Sequence, residues 1–475
     1  MGSGQVTDWQ GKHVTVAGLG VSGVPAARVL HGLGAQVTVV NDGDDARARE
    51  QAAELEALGV TVRLGDGDTL PEGTELIVTA PGWRPDKPLF AAAGAAGVPV
   101  WGDVELAWRL RKPDAAPWLA VTGTNGKTTT VRMLASILEA AGLRTAAVGN
   151  IGVSLLDAVL GEEEYDVLAV ELSSYQLHWA PSVRAHSAAV LNLAPDHLDW
   201  HGSMEAYAAD KGRIYEGNRV ACVYNADATD KPSTEDLVRE ADVEEGCRAI
   251  GFTLGTPGPS QLGVVEGILV DRAFVENRHR NAQELAEVSD VTPPAPHNIA
   301  NALAAAALAR AYGVPASAVR DGLRAFTPDA HRIAHVADVD GVAYVDDSKA
   351  TNTHAAQASL AAYESIVWIA GGLAKGATFD ELVADSAKRL RGAVLIGRDR
   401  ALIREALARH APEVPVVDLD RTDTGAMLQA VQEARRLARP GDTVLLAPAC
   451  ASMDMFANYN KRGDAFAQAV RELGA

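Results

Sequence analysis

The sequence predicts an α/β protein in three domains, each a largely parallel sheet covered by helices. Three observations carry this. A chain of 475 residues exceeds what one hydrophobic core holds, and length alone suggests about three domains. Short apolar runs alternate with helix-patterned stretches, as βαβ units require. A Gly-rich turn between a strand and a helix occurs at Gly18 and again at Gly123, so the pattern restarts.

The first segment, residues 1–115, opens with a strand from His13 to Ala17. It continues through Gly18-Leu19-Gly20-Val21-Ser22-Gly23 into a helix of small residues reaching about Leu33. A strand from Gln36 to Val40 follows at βαβ spacing, then a strand from Glu75 to Thr79 and a helix from Lys87 to Ala96. Arg111-Lys112-Pro113-Asp114-Ala115-Ala116-Pro117, with its prolines and mixed charges, marks a linker.

The second segment, residues 116–326, starts with a strand from Trp118 to Val121, a Gly-rich turn and a long helix from about Thr128. Apolar strands recur from Val167 to Val170 and from Ala188 to Asn192, and an Ala-rich helix runs from Asn298 to Ala311. Residues 225–292 read as polar and irregular, with a β-like run from Gly263 to Val270. The third segment, residues 327–475, alternates helices with strands at Val342 to Val345, Ser365 to Ala370, Ala393 to Ile396 and Thr443 to Leu446.

Composition narrows the function. A formal net charge of -19 argues against a nucleic-acid binder, which needs a basic face. The cysteines Cys222, Cys247 and Cys450 lie far apart in sequence and are odd in number, so neither a disulfide framework nor a Cys-based zinc site is expected. Met1 to Gln10 is polar, and no stretch approaches the roughly 20 apolar residues of a membrane span. A cytoplasmic protein without membrane partners is expected, with a monomer as the default.

The strongest local signal is Thr122-Gly123-Thr124-Asn125-Gly126-Lys127-Thr128-Thr129. Glycines let backbone N–H groups approach a polyphosphate, and the helix N-terminus adds a positive dipole end. Lys127 can reach the β and γ phosphates, and the Thr128 hydroxyl can ligate Mg²⁺. The general phosphate-loop pattern would place a glycine where Val121 stands, so this is a shortened form. ATP is the expected cofactor.

Gly18 to Gly23 fits G-x-G-x-x-G, and Asp42 ends the second strand where a ribose-binding acid belongs. By itself this suggests an NAD-dependent dehydrogenase. The same turn suits the diphosphate of any nucleotide sugar, because it recognises a pyrophosphate rather than a nicotinamide.

From the phosphate loop onward further motifs follow in order. They are Gly149-Asn150-Ile151-Gly152, Glu171-Leu172-Ser173-Ser174-Tyr175-Gln176-Leu177, and Leu191 to Asp199 with Pro195-Asp196-His197. Then come Tyr207-Ala208-Ala209-Asp210-Lys211, His297 to Leu303, and His331-Arg332. The last segment holds Asp346-Asp347-Ser348-Lys349-Ala350-Thr351-Asn352, Gly371 to Gly376, and Pro448 to Phe456. In order and spacing the chain resembles the Mur ligase family from end to end, in its D-glutamate-adding type. The resemblance implies a Rossmann-like N-terminal domain, a central P-loop ATPase domain and a Rossmann-like C-terminal domain. It also implies ligation of D-glutamate to UDP-N-acetylmuramoyl-L-alanine through an acyl phosphate, with ATP and a pair of Mg²⁺ ions.

The same resemblance assigns roles. Gly18 to Gly23, Asp42, Asn150 and Ser173 would hold the UDP substrate. Gly123 to Thr129, with Asn298, Asn301, Arg332 and Asp347, would hold ATP. Lys127, Glu171, His197 and Lys211 would be catalytic, and Thr128, Glu171, His197 and a carbamylated Lys211 would serve the metal. Lys349, Thr351, Lys375, Ser452, Met453 and Tyr459 would meet D-glutamate, whose two carboxylates need cations and donors. Without the resemblance, plainer readings stand beside these. Glu171 would be a solvated strand end, His197 a loop histidine, Lys211 a surface lysine, and Asn298 a helix cap as readily as a partner for adenine.

Overall fold

In a computed structural model, which describes residues 8–328, 330–421, 423 and 425–473, the strands form three sheets. Residues 1–7, most of the polar opening read from the sequence, lie outside the described part. The first sheet holds β1 (His13–Ala17), β2 (Gln36–Asn41), β3 (Thr61–Leu64), β4 (Leu76–Thr79) and β5 (Val100–Gly102). Its order is β3-β2-β1-β4-β5, and all its pairs are parallel.

The second sheet holds β6 (Trp118–Thr122), β7 (Ala147–Gly149), β8 (Leu168–Glu171), β9 (Ser187–Val190) and β10 (Ala221–Asn225). It continues with β11 (Arg248–Phe252), β12 (Gln261–Val265), β13 (Ile268–Asp271) and β14 (Gln283–Glu287). The order is β14-β13-β12-β11-β10-β9-β6-β8-β7. Every residue of β6, β8 and β9 is buried, which is why they read as unbroken apolar runs. The stretch 225–292 is not irregular, as its polarity suggested. It supplies β11 to β14, and its last strands pair antiparallel at the sheet edge, where one polar face is tolerated.

The third sheet holds β15 (Ala334–Val339), β16 (Val342–Asp346), β17 (Ile366–Gly371), β18 (Leu390–Ile396), β19 (Val416–Asp418) and β20 (Thr443–Leu446). The order is β15-β16-β20-β17-β18-β19, with only β15 running antiparallel to its neighbour.

The chain divides into two compact units, Met1–Val291 with Asn298–Phe326, and Thr292–His297 with Thr327–Ala475. The first unit contains two sheets because they share a core. Val14, Leu30 and Val104 belong to the same buried cluster as Trp118, Val170 and Leu177. Buried Glu105 strengthens this seam, accepting from the Ser182 N–H at 2.9 Å while pairing with Arg109 at 2.6 Å. The linker 111–117 is therefore a break in pattern, not in packing.

The cysteines also depart from their sequence spacing. Adjacent strands β10 and β11 bring Cys222 and Cys247 to a sulfur separation of 3.9 Å, both as free thiols. Among the described residues no helix is long and apolar enough to cross a membrane.

Candidate active site

In the first unit, the loop after β6 enters the helix Lys127–Ala140 through Gly126, whose φ of 83° is left-handed. A Cβ at Gly126 would also lie 2.4 Å from Asn301 Oδ1, so glycine is required on both counts. Asn301 is thereby placed against the phosphate loop, from the buried helix Pro296–Ala311. Asn298, also buried, is the third residue of that helix and not its cap, which removes the capping alternative. Asn192, following β9, grips the loop from the other side. Its Oδ1 accepts from the Asn125 N–H at 2.8 Å, and its amide donates to Asn125 O at 3.1 Å. The Thr124 hydroxyl lies 3.0 Å from the Tyr207 hydroxyl.

Two lysines converge on this loop. Lys127 Nζ donates to Gly123 O and Thr124 O, each at 2.9 Å. Lys211 Nζ donates to Gly123 O at 2.8 Å, and the residue is only 2% exposed, not a surface lysine. Burial drives its pKa well below the usual ammonium value, and the charge of Lys127 adds to the shift. Glu171 ends β8 beside Val121 of β6 and is 2% exposed. Its Oε1 accepts from Asn150 Nδ2 at 3.0 Å, while Oε2 is buried without a hydrogen-bond partner in the structure. His197 follows β9 on a left-handed turn, partly exposed and 4.9 Å from the Tyr175 ring.

The structure adds residues that the sequence did not single out. Asp210 bonds His178 Nδ1 and His201 Nδ1, each at 2.9 Å, and His201 Nε2 reaches Ser174 Oγ at 3.0 Å. Burial alone would raise the Asp210 carboxyl, but the hydrogen bonds from both histidines outweigh it and hold its pKa low. This network locks the helix Met204–Gly212, and with it Lys211, onto the site. Its members come from three separate segments, so no local pattern announces it. Ser173 is engaged as the N-cap of Ser174–His178, in a capping box with Gln176.

At the first Gly-rich turn the helix begins at Gly23, where a Cβ would meet Gly18 O at 1.8 Å. Ser22 Oγ donates to Asp103 Oδ2 at 3.0 Å, and burial pushes the Asp103 carboxyl up despite that bond. Val21, Ser22, Asp103, Asn150 and Gln176 line a cavity of about 470 Å³, large enough for a small ligand. Asn150 thus touches both this cavity and Glu171. Asp42 is not free at the end of β2, because Lys87 Nζ holds it at 2.8 Å and Asp68 at 2.9 Å. Gly23→Ala is expected to cost about 1–3 kcal/mol in a denaturant melt, because the clash is with backbone.

In the second unit, β16, β20 and β17 are neighbours, so the loops beyond their C-terminal ends come together, where open α/β sheets bind ligands. Lys349 follows β16, Ser452, Met453 and Tyr459 follow β20, and Lys375 follows β17. Lys349 Nζ sits 4.1 Å from the centroid of the Tyr459 ring. The Thr351 N–H donates to Lys349 O at 2.8 Å. Ser452 is buried, Met453 is exposed, and Lys375 is exposed with a left-handed φ of 50°. Buried Arg462, not anticipated from sequence, ties the first two loops together. It donates to Ser348 O at 2.8 Å and to Cys450 O at 3.0 Å.

Arg332 and Asp347 also lie in this unit. Asp347 is buried, accepting from the Ser359 hydroxyl and from the Ile333 N–H at 3.3 Å. Burial lifts its pKa to about 6, with the Ser359 bond and the Arg332 charge opposing. The folded state therefore binds this proton more tightly than the unfolded chain. The stability it contributes is full at low pH and is lost as pH rises through about 6. From about pH 5 to about pH 7.5 the native protein should lose roughly 1 kcal/mol relative to Asp347→Asn in paired urea melts.

The model of the Mur ligase middle domain matches residues 121–309, and that of the Mur ligase glutamate ligase domain matches 331–450. A UDP-N-acetylmuramoylalanine–D-glutamate ligase of Streptomyces coelicolor is 90% identical over 99% of this chain and 100% of its own length. The chain belongs to the Mur ligase family. A ligase of the same description from Thermobifida fusca is 60% identical over 98% of this chain and 99% of its own. The Mur ligase fold is also seen in the crystal structure of UDP-N-acetylmuramate-alanine ligase MurC from Thermotoga maritima. That structure has a TM-score of 0.55 at 18% identity and covers 97% of this chain and 99% of that one. A pyridine nucleotide-disulphide oxidoreductase model matches residues 13–68, the βαβ segment that invited the dehydrogenase reading. A match over a βαβ segment shows a shared fold and does not by itself assign a nicotinamide cofactor.

Proposed function

We propose that this chain joins D-glutamate to UDP-N-acetylmuramoyl-L-alanine in peptidoglycan precursor synthesis, using ATP and releasing ADP and phosphate. The observation that carries the reading is its 90% identity, over essentially the whole chain, to a ligase of that description. We assign residues 1–115 to the UDP substrate, 116–326 to ATP and 327–475 to the amino acid.

A carboxylate is a poor electrophile, so ATP first phosphorylates the L-alanyl carboxylate, giving an acyl phosphate and ADP. The D-glutamate amine then attacks the acyl carbon, and phosphate leaves as the amide forms. Phosphoryl transfer asks mainly for positioning and electrostatics. Gly123 to Thr129 cradle the polyphosphate, Lys127 leaving its loop carbonyls to meet it. In the same unit, Asn298 and Asn301 hold more of the nucleotide. Gly18 to Gly23, Asn150 and Ser173 hold the UDP portion.

The residues fit Mg²⁺. The unpartnered, buried Oε2 of Glu171 is a ready oxygen ligand, and Thr128 supplies a hydroxyl. Phosphate oxygens, His197 and a modified Lys211 would complete the ligand set. Bound there, Mg²⁺ would neutralise phosphate charge. The depressed pKa of Lys211 favours the neutral amine, which adds to carbon dioxide and releases a proton to give an anionic carbamate.

Lys349, Thr351, Lys375, Ser452, Met453 and Tyr459 form the D-glutamate pocket in this reading. Lys349→Ala should raise the D-glutamate KM by about tenfold or more, with the ATP KM nearly unchanged. The function is tested by ADP release across a panel of amino acids and acceptors. D-Glutamate should be used preferentially. Faster turnover with L-alanine, with diaminopimelate, or with L-glutamate on a folate acceptor would overturn the reading.

A further inference from the structure

A second cavity, of about 540 Å³, lies at the N-terminal ends of the central strands of the second sheet, opposite the phosphate loop. Trp118, which lines it, is the first residue of β6, and the phosphate loop begins after the last. Five strand residues separate them by about 16 Å. The wall combines Arg111, Arg184 and Arg219 with Trp108, Trp118 and His186. In a chain with 43 basic and 62 acidic residues, three guanidinium groups around one hollow are conspicuous. Asp114 and Glu244 also line it, yet none of the three arginines forms an ion pair among the described residues.

The polar groups left over are donors. Arg111 Nε and Trp118 Nε1 are buried without hydrogen-bond partners, and Trp118 is 1% exposed. Buried donors without acceptors cost stability unless something supplies them. Arg111 is also preorganised, its guanidinium stacked 3.5 Å from the Trp108 ring centroid. Burial and the nearby Arg219 charge both lower the Arg111 pKa, and the same causes lower that of His186. An anion would relieve both.

We propose that this hollow is a binding site for a small oxyanion-bearing molecule of the diphosphate class, separate from the ATP and UDP sites. Its ligand accepts from Arg111 and Arg219, and so links residues 111–117 to the segment before β10 at the N-terminal ends of the central strands. Forked guanidinium groups suit phosphate oxygens in pairs, and the volume suits one small metabolite.

The test is calorimetric titration of inorganic pyrophosphate into the full chain saturated with ADP, so that the phosphate loop is already filled. Saturable binding is expected, weakened about tenfold or more in Arg219→Glu, an exposed position that should not disturb folding. Arg111→Gln should weaken it similarly and decides the matter if the first variant fails to fold. Inorganic phosphate in place of pyrophosphate should bind more weakly. No saturable binding, phosphate binding as tight as pyrophosphate, or unchanged affinity in the folded variants would overturn the proposal.

Discussion

Lys127→Ala is expected to lower substrate-dependent ADP release by on the order of 10³-fold while leaving the fold in place. The fold should survive because the loop has other supports. Gly123 O keeps its bond from Lys211 at 2.8 Å, and Asn192 continues to hold Asn125 at both its N–H and its carbonyl. The activity should not survive, because no neutral side chain replaces a cation against the developing charge of the transferred phosphoryl group. A ligand-free melting curve recorded beside the kinetic assay separates the two effects. A variant with near-native turnover would remove the phosphate loop from the chemistry.

Lys211→Ala is expected to lose activity on the order of 10²- to 10³-fold, and Lys211→Arg should not restore it. An arginine keeps the positive charge but cannot form the carbamate. Labelled bicarbonate should give a carbamate carbon signal by NMR in the native protein that is absent from both variants. Intact mass showing unmodified Lys211 in a fully active enzyme would contradict the assignment. Arginine is bulkier than lysine in a space closed by Thr122 and Gly123, so Lys211→Met, which preserves length without charge, is the steric control.

Legibility in the sequence followed the physics of each element. Strands β6, β8 and β9 were readable because both faces are buried, leaving continuous apolar runs such as Trp118 to Val121. β12 and β13 read as one β-like run, Gly263 to Val270, because the turn at Glu266 and Gly267 between them is short. β14 was hidden because an antiparallel edge alternates in polarity and a bulge between Leu269 and Val270 dilutes the signal. β5, β7 and β19 are three residues each, too short to show a period. In the site, the phosphate loop was legible because all its parts are contiguous. Asp103, the His178–Asp210–His201 network and Arg462 were not, because each acts across distant segments. Lys211 shows the difference most clearly: its neighbours in sequence suggest a surface helix, whereas its burial and depressed pKa come from Gly123 and Lys127 on another element.

The most direct measurement is phosphate release with each substrate omitted in turn. Release is expected only when ATP, UDP-N-acetylmuramoyl-L-alanine and D-glutamate are present together, with loss of the signal in Lys127→Ala. Equal release without D-glutamate, or none with all three present, would contradict it.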